Sequence, residues 1–152
     1  MKIQFLLLFS ILSLGYSSNS RGETSLVINE LMAQNDGFIQ DSHGDYEDWI
    51  EIYNYGDYPI NIGGMYLTDD LTAPAKWRIP DSNAAATTIP SHGHLLIWAD
   101  NETNDGILHA SFRLNISGEQ IGLYDAYGIL IDSVVFGPQE VNYSYGRLPD
   151  GA

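Results

Sequence analysis

Apolar and polar residues alternate in this chain over short runs, at 25–33, 49–54, 65–68, 76–79, 94–99, 120–124, 129–136 and 143–148, with clusters of Gly, Pro, Asn or Asp between them. A period of two marks strands with one buried face, and short strands about ten residues apart with turn signals between them mark antiparallel sandwiches or barrels. In the run 49–54, successive side chains point to opposite faces, so Ile50 and Ile52 are predicted to face the core and Trp49, Glu51 and Tyr53 the other side. The segment Asp125-Ala126-Tyr127-Gly128 links two runs and reads as a hairpin turn, with Gly128 supplying the positive backbone dihedral. Pro90-Ser91-His92-Gly93 does similar work ahead of the run at 94–99. Residues 84–88 are small and aperiodic and read as a loop, and no segment carries a helical period. Without an internal repeat, the expectation is one all-β domain built as an antiparallel sandwich.

The first twenty residues read differently. Lys2 precedes an apolar run from Ile3 to Leu14, followed by the small polar stretch Ser17-Ser18-Asn19-Ser20. The run is shorter than the roughly 20 residues a spanning helix needs, and Ser18-Asn19-Ser20 has the small-x-small form of a cleavage site. The reading is a signal peptide at 1–20, a short linker at 21–24 and a folded domain at 25–152, which places the protein outside the cell, at its surface or in the periplasm, with no membrane span after cleavage. Charge narrows the partners: 6 Lys+Arg against 20 Asp+Glu give a net charge of −14, and nucleic-acid affinity comes largely from basic side chains displacing counterions. No nucleic acid is expected. The chain has no Cys, which excludes disulfides, thiolate metal sites and a Cys nucleophile.

Four stretches, in order and spacing, carry a family resemblance. They are the strand Trp49 to Asn54, ending in Asn; the turn at 60–67, where Met65 follows Gly63 and Gly64; the block 76–80 with 89–99, containing Trp77, Pro80, Pro90, Gly93 and Trp98; and the late pair 108–114 and 117–125. Together they resemble the lamin tail domain, an immunoglobulin-like sandwich found in nuclear lamins and, as a secreted module, in many bacterial proteins. The resemblance covers nearly all of the chain after residue 24, and the segments 41–48 and 143–147 are closer to the bacterial branch. It implies an antiparallel immunoglobulin-like β-sandwich without a catalytic set, serving in adhesion to a protein or polysaccharide partner at the cell surface. In that branch the domain often accompanies spore-coat kinase-like proteins, hydrolases or nucleases, and the pattern continues through one more Trp-containing segment. An alternative reading is thus the N-terminal fragment of a larger secreted protein, with this domain as its targeting module.

Candidate chemistry is sparse. Asp41, Asp45 and Asp48 crowd a Gly-containing loop in the oxygen-rich style that calcium prefers, so a calcium-dependent binding module is the second alternative; no other cofactor is implied. His92 and His94 offer two imidazoles without a third ligand at a readable spacing, and His43 and His109 stand far apart, so zinc is not expected and the histidines read as turn and surface residues. Glu30 and Glu51 both lie in strand patterns, but sandwich strands routinely carry acids on solvent faces, and no enzyme is expected. Aromatic residues are the surplus, with ten Tyr and three Trp. Trp77 and Trp98 are expected to fill the space between sheets. Tyr53, Tyr55 and Tyr58 are the candidate ligand-binding residues, because exposed planar rings stack on sugar faces or anchor a protein partner at low entropic cost. The loops 41–48 and 84–88 are the expected contact segments.

Overall fold

The computed structural model describes residues 24–152, so the signal peptide and residues 21–23 of the linker lie outside the described residues. The strands are β1 (Leu26–Met32), β2 (Trp49–Asn54), β3 (Ile60–Asn61), β4 (Tyr66–Thr68), β5 (Trp77–Arg78), β6 (Thr88–Ile89), β7 (His94–Trp98), β8 (Glu119–Tyr124), β9 (Leu130–Phe136) and β10 (Tyr145–Gly146). One sheet runs β10-β1-β2-β7, the other β5-β4-β8-β9, and β3 pairs with β6 in a two-stranded ladder. All of these pairings are antiparallel. The two four-stranded sheets form an immunoglobulin-like β-sandwich.

Side-chain alternation places the core. Leu31, Ile50 and Ile97 are directly opposite one another across three strands, and all are buried. Ile52 beside them, with Leu67 on β4 and Ile121 and Leu123 on β8, completes an interior layer whose residues are 0% exposed. Strand β1 needs one irregularity to join it. In an unbroken strand Leu26, Ile28 and Glu30 would share a face, which would drive a carboxylate into the core. The register shifts between Ile28 and Glu30, so Asn29 is the extra residue of a bulge and Leu31 re-enters the interior.

The turns follow their residues. Gly128, at φ 80°, closes the β8–β9 hairpin, in which the Asp125 N–H donates to the Ile129 carbonyl at 2.9 Å. At Pro90–Gly93 the Gly93 N–H donates to the Pro90 carbonyl at 3.0 Å, but His92 rather than the glycine takes the positive φ, 52°. The segment expected to be a loop at 84–88 is instead a one-turn helix, α1 (Ala84–Thr87), leading straight into β6. Asn83 caps it by accepting the Ala86 N–H, and Thr87 is buried with its hydroxyl donating to Asn61 Oδ1 at 2.7 Å. Trp98 also departs from expectation. Trp77 enters the inter-sheet core, but Trp98 alternates with the buried Ile97 and so stands on the outer face, half-buried.

Candidate functional site

The outer face of the first sheet carries two arrangements, one at each end of β2. Met32, Trp49 and Trp98 are cross-strand neighbours in one row, on the side opposite the core. Although they face away from the interior, Met32 and Trp49 are only 1% and 3% exposed. The bridge between Trp98 and His109 brings the 108–110 segment alongside β7, through the Trp98 N–H to Leu108 and the Ala110 N–H to Trp98, each 2.8 Å. The His109 ring lies over Trp98 at 6.4 Å between centroids, and His43 meets it edge-on at 6.0 Å.

His109 is therefore not the surface residue its sequence context suggests; it is 4% exposed. Its Nδ1 is hydrogen-bonded to Oδ2 of the buried Asp100, whose Oδ1 accepts the Glu102 N–H at 2.9 Å. On the loop 41–45, Asp41 Oδ1 accepts the N–H groups of His43 and Asp45 at 2.8 and 2.9 Å, and Asp41 Oδ2 lies 3.3 Å from His43 Nδ1. Burial works against ionisation of Asp41, but those N–H groups and the His43 ring prevail and hold its carboxyl below the usual carboxylate range. One ligand-capable atom from each of Asp41, His43 and His109 lies within 4.8 Å of the others.

The three carboxylates singled out from the sequence do not converge. Among the described residues, the grouping that forms around Asp41 contains His43 and His109 and neither Asp45 nor Asp48. Asp45 is exposed. Asp48 lines a separate cleft of about 530 Å³ with Glu47, Asn35 and Arg113. There burial pushes its carboxyl up to about 6, against the Leu114 and Asn35 N–H groups that favour the charged form.

This shift has a definite sign. A carboxyl that ionises less readily folded than unfolded penalises the folded state at neutral pH, and the penalty is relieved as pH falls from about 6 toward the ordinary 3.8. Burial raises Glu47 and Glu119 in the same direction. Asp41, Asp70 and Asp81 are lowered and act oppositely: the stability they contribute is lost only below about pH 3.8. The melting temperature is expected to rise from pH 7 to pH 5 and to fall below pH 4. The rise should persist in high salt, which screens general repulsion but not desolvation. A melting temperature that declines steadily from pH 7 to pH 5 would show that Asp48 is well solvated.

At the other end of β2 lie the candidate tyrosines. Tyr53 stacks on His94, its cross-strand partner, at 4.5 Å and 20°. His94 Nε2 approaches Asp150 Oδ2 at 3.2 Å, and Asn29 ties the same segment down by donating to Asp150 Oδ1 at 3.3 Å and accepting the Gly151 N–H at 3.0 Å. The tail 150–151 thus covers part of Tyr53. Tyr55 and Tyr58 stay open, at 46% and 80% exposed. Both stand on a turn held by the buried Asn54, whose Nδ2 donates to the carbonyls of Tyr58, Ile89 and Pro90 at 2.8, 3.2 and 3.0 Å while Oδ1 accepts the Gly56 N–H at 3.0 Å.

Comparison with protein families matches residues 19–138 to the lamin tail domain. The chain belongs to the lamin tail domain family. This match spans the sandwich from β1 through β9, and the family accounts for the immunoglobulin-like architecture and for a noncatalytic interaction module as the general role of this lamin tail domain. Comparison with curated proteins and with solved structures gives no match. The buried His109 escaped the sequence reading because its partners Asp41 and His43 are more than sixty residues away along the chain, and no local spacing signals them.

Proposed function

We propose that this lamin tail domain is a secreted, noncatalytic adhesion module that engages a protein or polysaccharide through the tyrosine surface beyond β2. The observation that carries this reading is the exposure of Tyr55 and Tyr58 on a turn fastened from beneath by Asn54. Large rings on a rigid support lose little conformational freedom on binding, whereas rings on a floppy loop would give up affinity to ordering. The net charge of −14 favours neutral or cationic partners over anionic ones. The secreted location is supported by the apolar run and small-x-small stretch in residues 3–20.

The test is retention of the purified chain on cell-envelope preparations. The Tyr55→Ala, Tyr58→Ala double variant is expected to bind at least tenfold more weakly with an unchanged circular dichroism spectrum. Pretreating the envelope with protease or with polysaccharide hydrolases identifies which class of partner holds it. Equal binding by both forms would remove the tyrosine surface from the reading.

A further inference from the structure

We propose that Asp41, His43 and His109 are the protein ligands of a divalent transition-metal site of the zinc class. The donor set is the first reason. Two imidazole nitrogens and one carboxylate oxygen suit zinc, whereas calcium takes oxygen ligands alone. The second reason is how His109 is held. A neutral imidazole whose Nδ1 donates to a carboxylate keeps its lone pair on Nε2, and a buried carboxylate behind a histidine is the usual support of a metal-bound ring. Asp100 is 1% exposed and is itself held by the Glu102 N–H. No hydrogen bond from the described residues occupies His109 Nε2.

The third reason is preorganisation. Asp41 Oδ1 is bound by two backbone N–H groups, which fixes the carboxylate and leaves Oδ2 toward His43. The aromatic row beneath, ending in Trp98, gives His109 an apolar floor. Two separate hydrogen-bonded pairs, Asp41 with His43 and Asp100 with His109, are the plain alternative. They do not account for a buried histidine that keeps one nitrogen free and offers a ligand-capable atom within 4.8 Å of the other pair. Bonds of about 2.0–2.2 Å in a tetrahedral site ask ligand atoms to stand roughly 3.5 Å apart. Asp41 Oδ2 and His43 Nδ1 already stand 3.3 Å apart, the remaining separations exceed the tetrahedral spacing by little more than an ångström at most, and His43, with its side chain 45% exposed, is the member free to move. Three protein ligands leave one coordination position open to water or to a partner's donor atom.

The test is a calorimetric titration of the chelator-treated chain with Zn²⁺, paired with nitrogen-15 NMR of the four histidine rings. One equivalent is expected to bind, with the ring nitrogens of His43 and His109 shifting and those of His92 and His94 unmoved. His43→Ala, a surface change, should weaken binding at least tenfold with little effect on the melting temperature of the metal-free protein, since an exposed pair contributes little. Asp100 is a positioning residue: Asp100→Asn should weaken binding about 10- to 100-fold and change the tautomer signature of His109 in the metal-free spectrum. The proposal is overturned if Zn²⁺ binds His43→Ala as well as wild type, if His92 or His94 respond in place of His109, if no heat is seen, or if Ca²⁺ binds in preference.

Discussion

Asn54→Asp is expected to cost about 3–5 kcal/mol of folding free energy, although it exchanges side chains of almost identical shape. Asn54 is 0% exposed, and its amide donates to the carbonyls of Tyr58, Ile89 and Pro90, the last of which also accepts the Gly93 N–H. Aspartate would set an oxygen against those three carbonyl oxygens. Ionised, it is a buried charge without a counter-charge; protonated, it has one hydrogen to offer where the amide served three carbonyls. Set against the roughly 5–15 kcal/mol that holds a domain folded, the loss is a large fraction of the total. Urea denaturation would measure it, with the β3–β6 ladder, where Ile60 pairs with Ile89, expected to loosen first in hydrogen exchange. A loss below 1 kcal/mol would mean that other contacts hold the turn. The same substitution should weaken partner binding by freeing Tyr58, which separates support of the tyrosine surface from the surface itself.

Asp132→Ala is expected to cost about 2–3 kcal/mol and to promote self-association at high protein concentration. Strand β10 pairs with Glu30 and Leu31 of β1, so among the described residues the edge of β1 nearer its start has no strand partner on that side. Two side chains stand in for one. Asp132, on β9, accepts the Ile28 N–H at 2.8 Å. Arg147 donates from Nε to the Ile28 carbonyl at 3.0 Å and from its guanidinium to both Asp132 oxygens at 3.1 and 2.9 Å. Arg147 also lines a groove of about 270 Å³ between β1, β9 and β10. Alanine would leave a strand N–H unpaired and a half-buried guanidinium without its counter-charge, and open backbone donors invite a second chain to add a strand. Sedimentation at increasing concentration checks the association and thermal unfolding the stability. A monomeric variant of wild-type stability would show that water satisfies the edge.

What local pattern carried, it carried well. Period-two alternation located eight strand segments and the inward face of β2, because side-chain direction along an extended chain depends only on neighbouring residues. Asp125 and Gly128 marked their hairpin by the chemistry of the turn itself. The order and spacing of four stretches carried the family. Where alternation alone was the guide it faltered at Trp98, since a strand pattern separates two faces without saying which one meets the opposite sheet.

Tertiary structure decided the rest. The bulge at Asn29 answers to the pairing of β1 with β2, not to anything local. Helix α1 is a single turn, too short for a period to show, and is held by its Asn83 cap and by Thr87 reaching Asn61. Asp41, Asp45 and Asp48 are close along the chain but diverge, because one turns inward to bind its own loop and another lines a different cleft. Asp41 and His109 are far apart along the chain but meet, because two loops fold over one outer face. The sequence by itself determined the sandwich, through a short-range rule about which way side chains point. Which distant loops cover that sandwich, and so which side chains gather there, depended on the closed three-dimensional path of the chain.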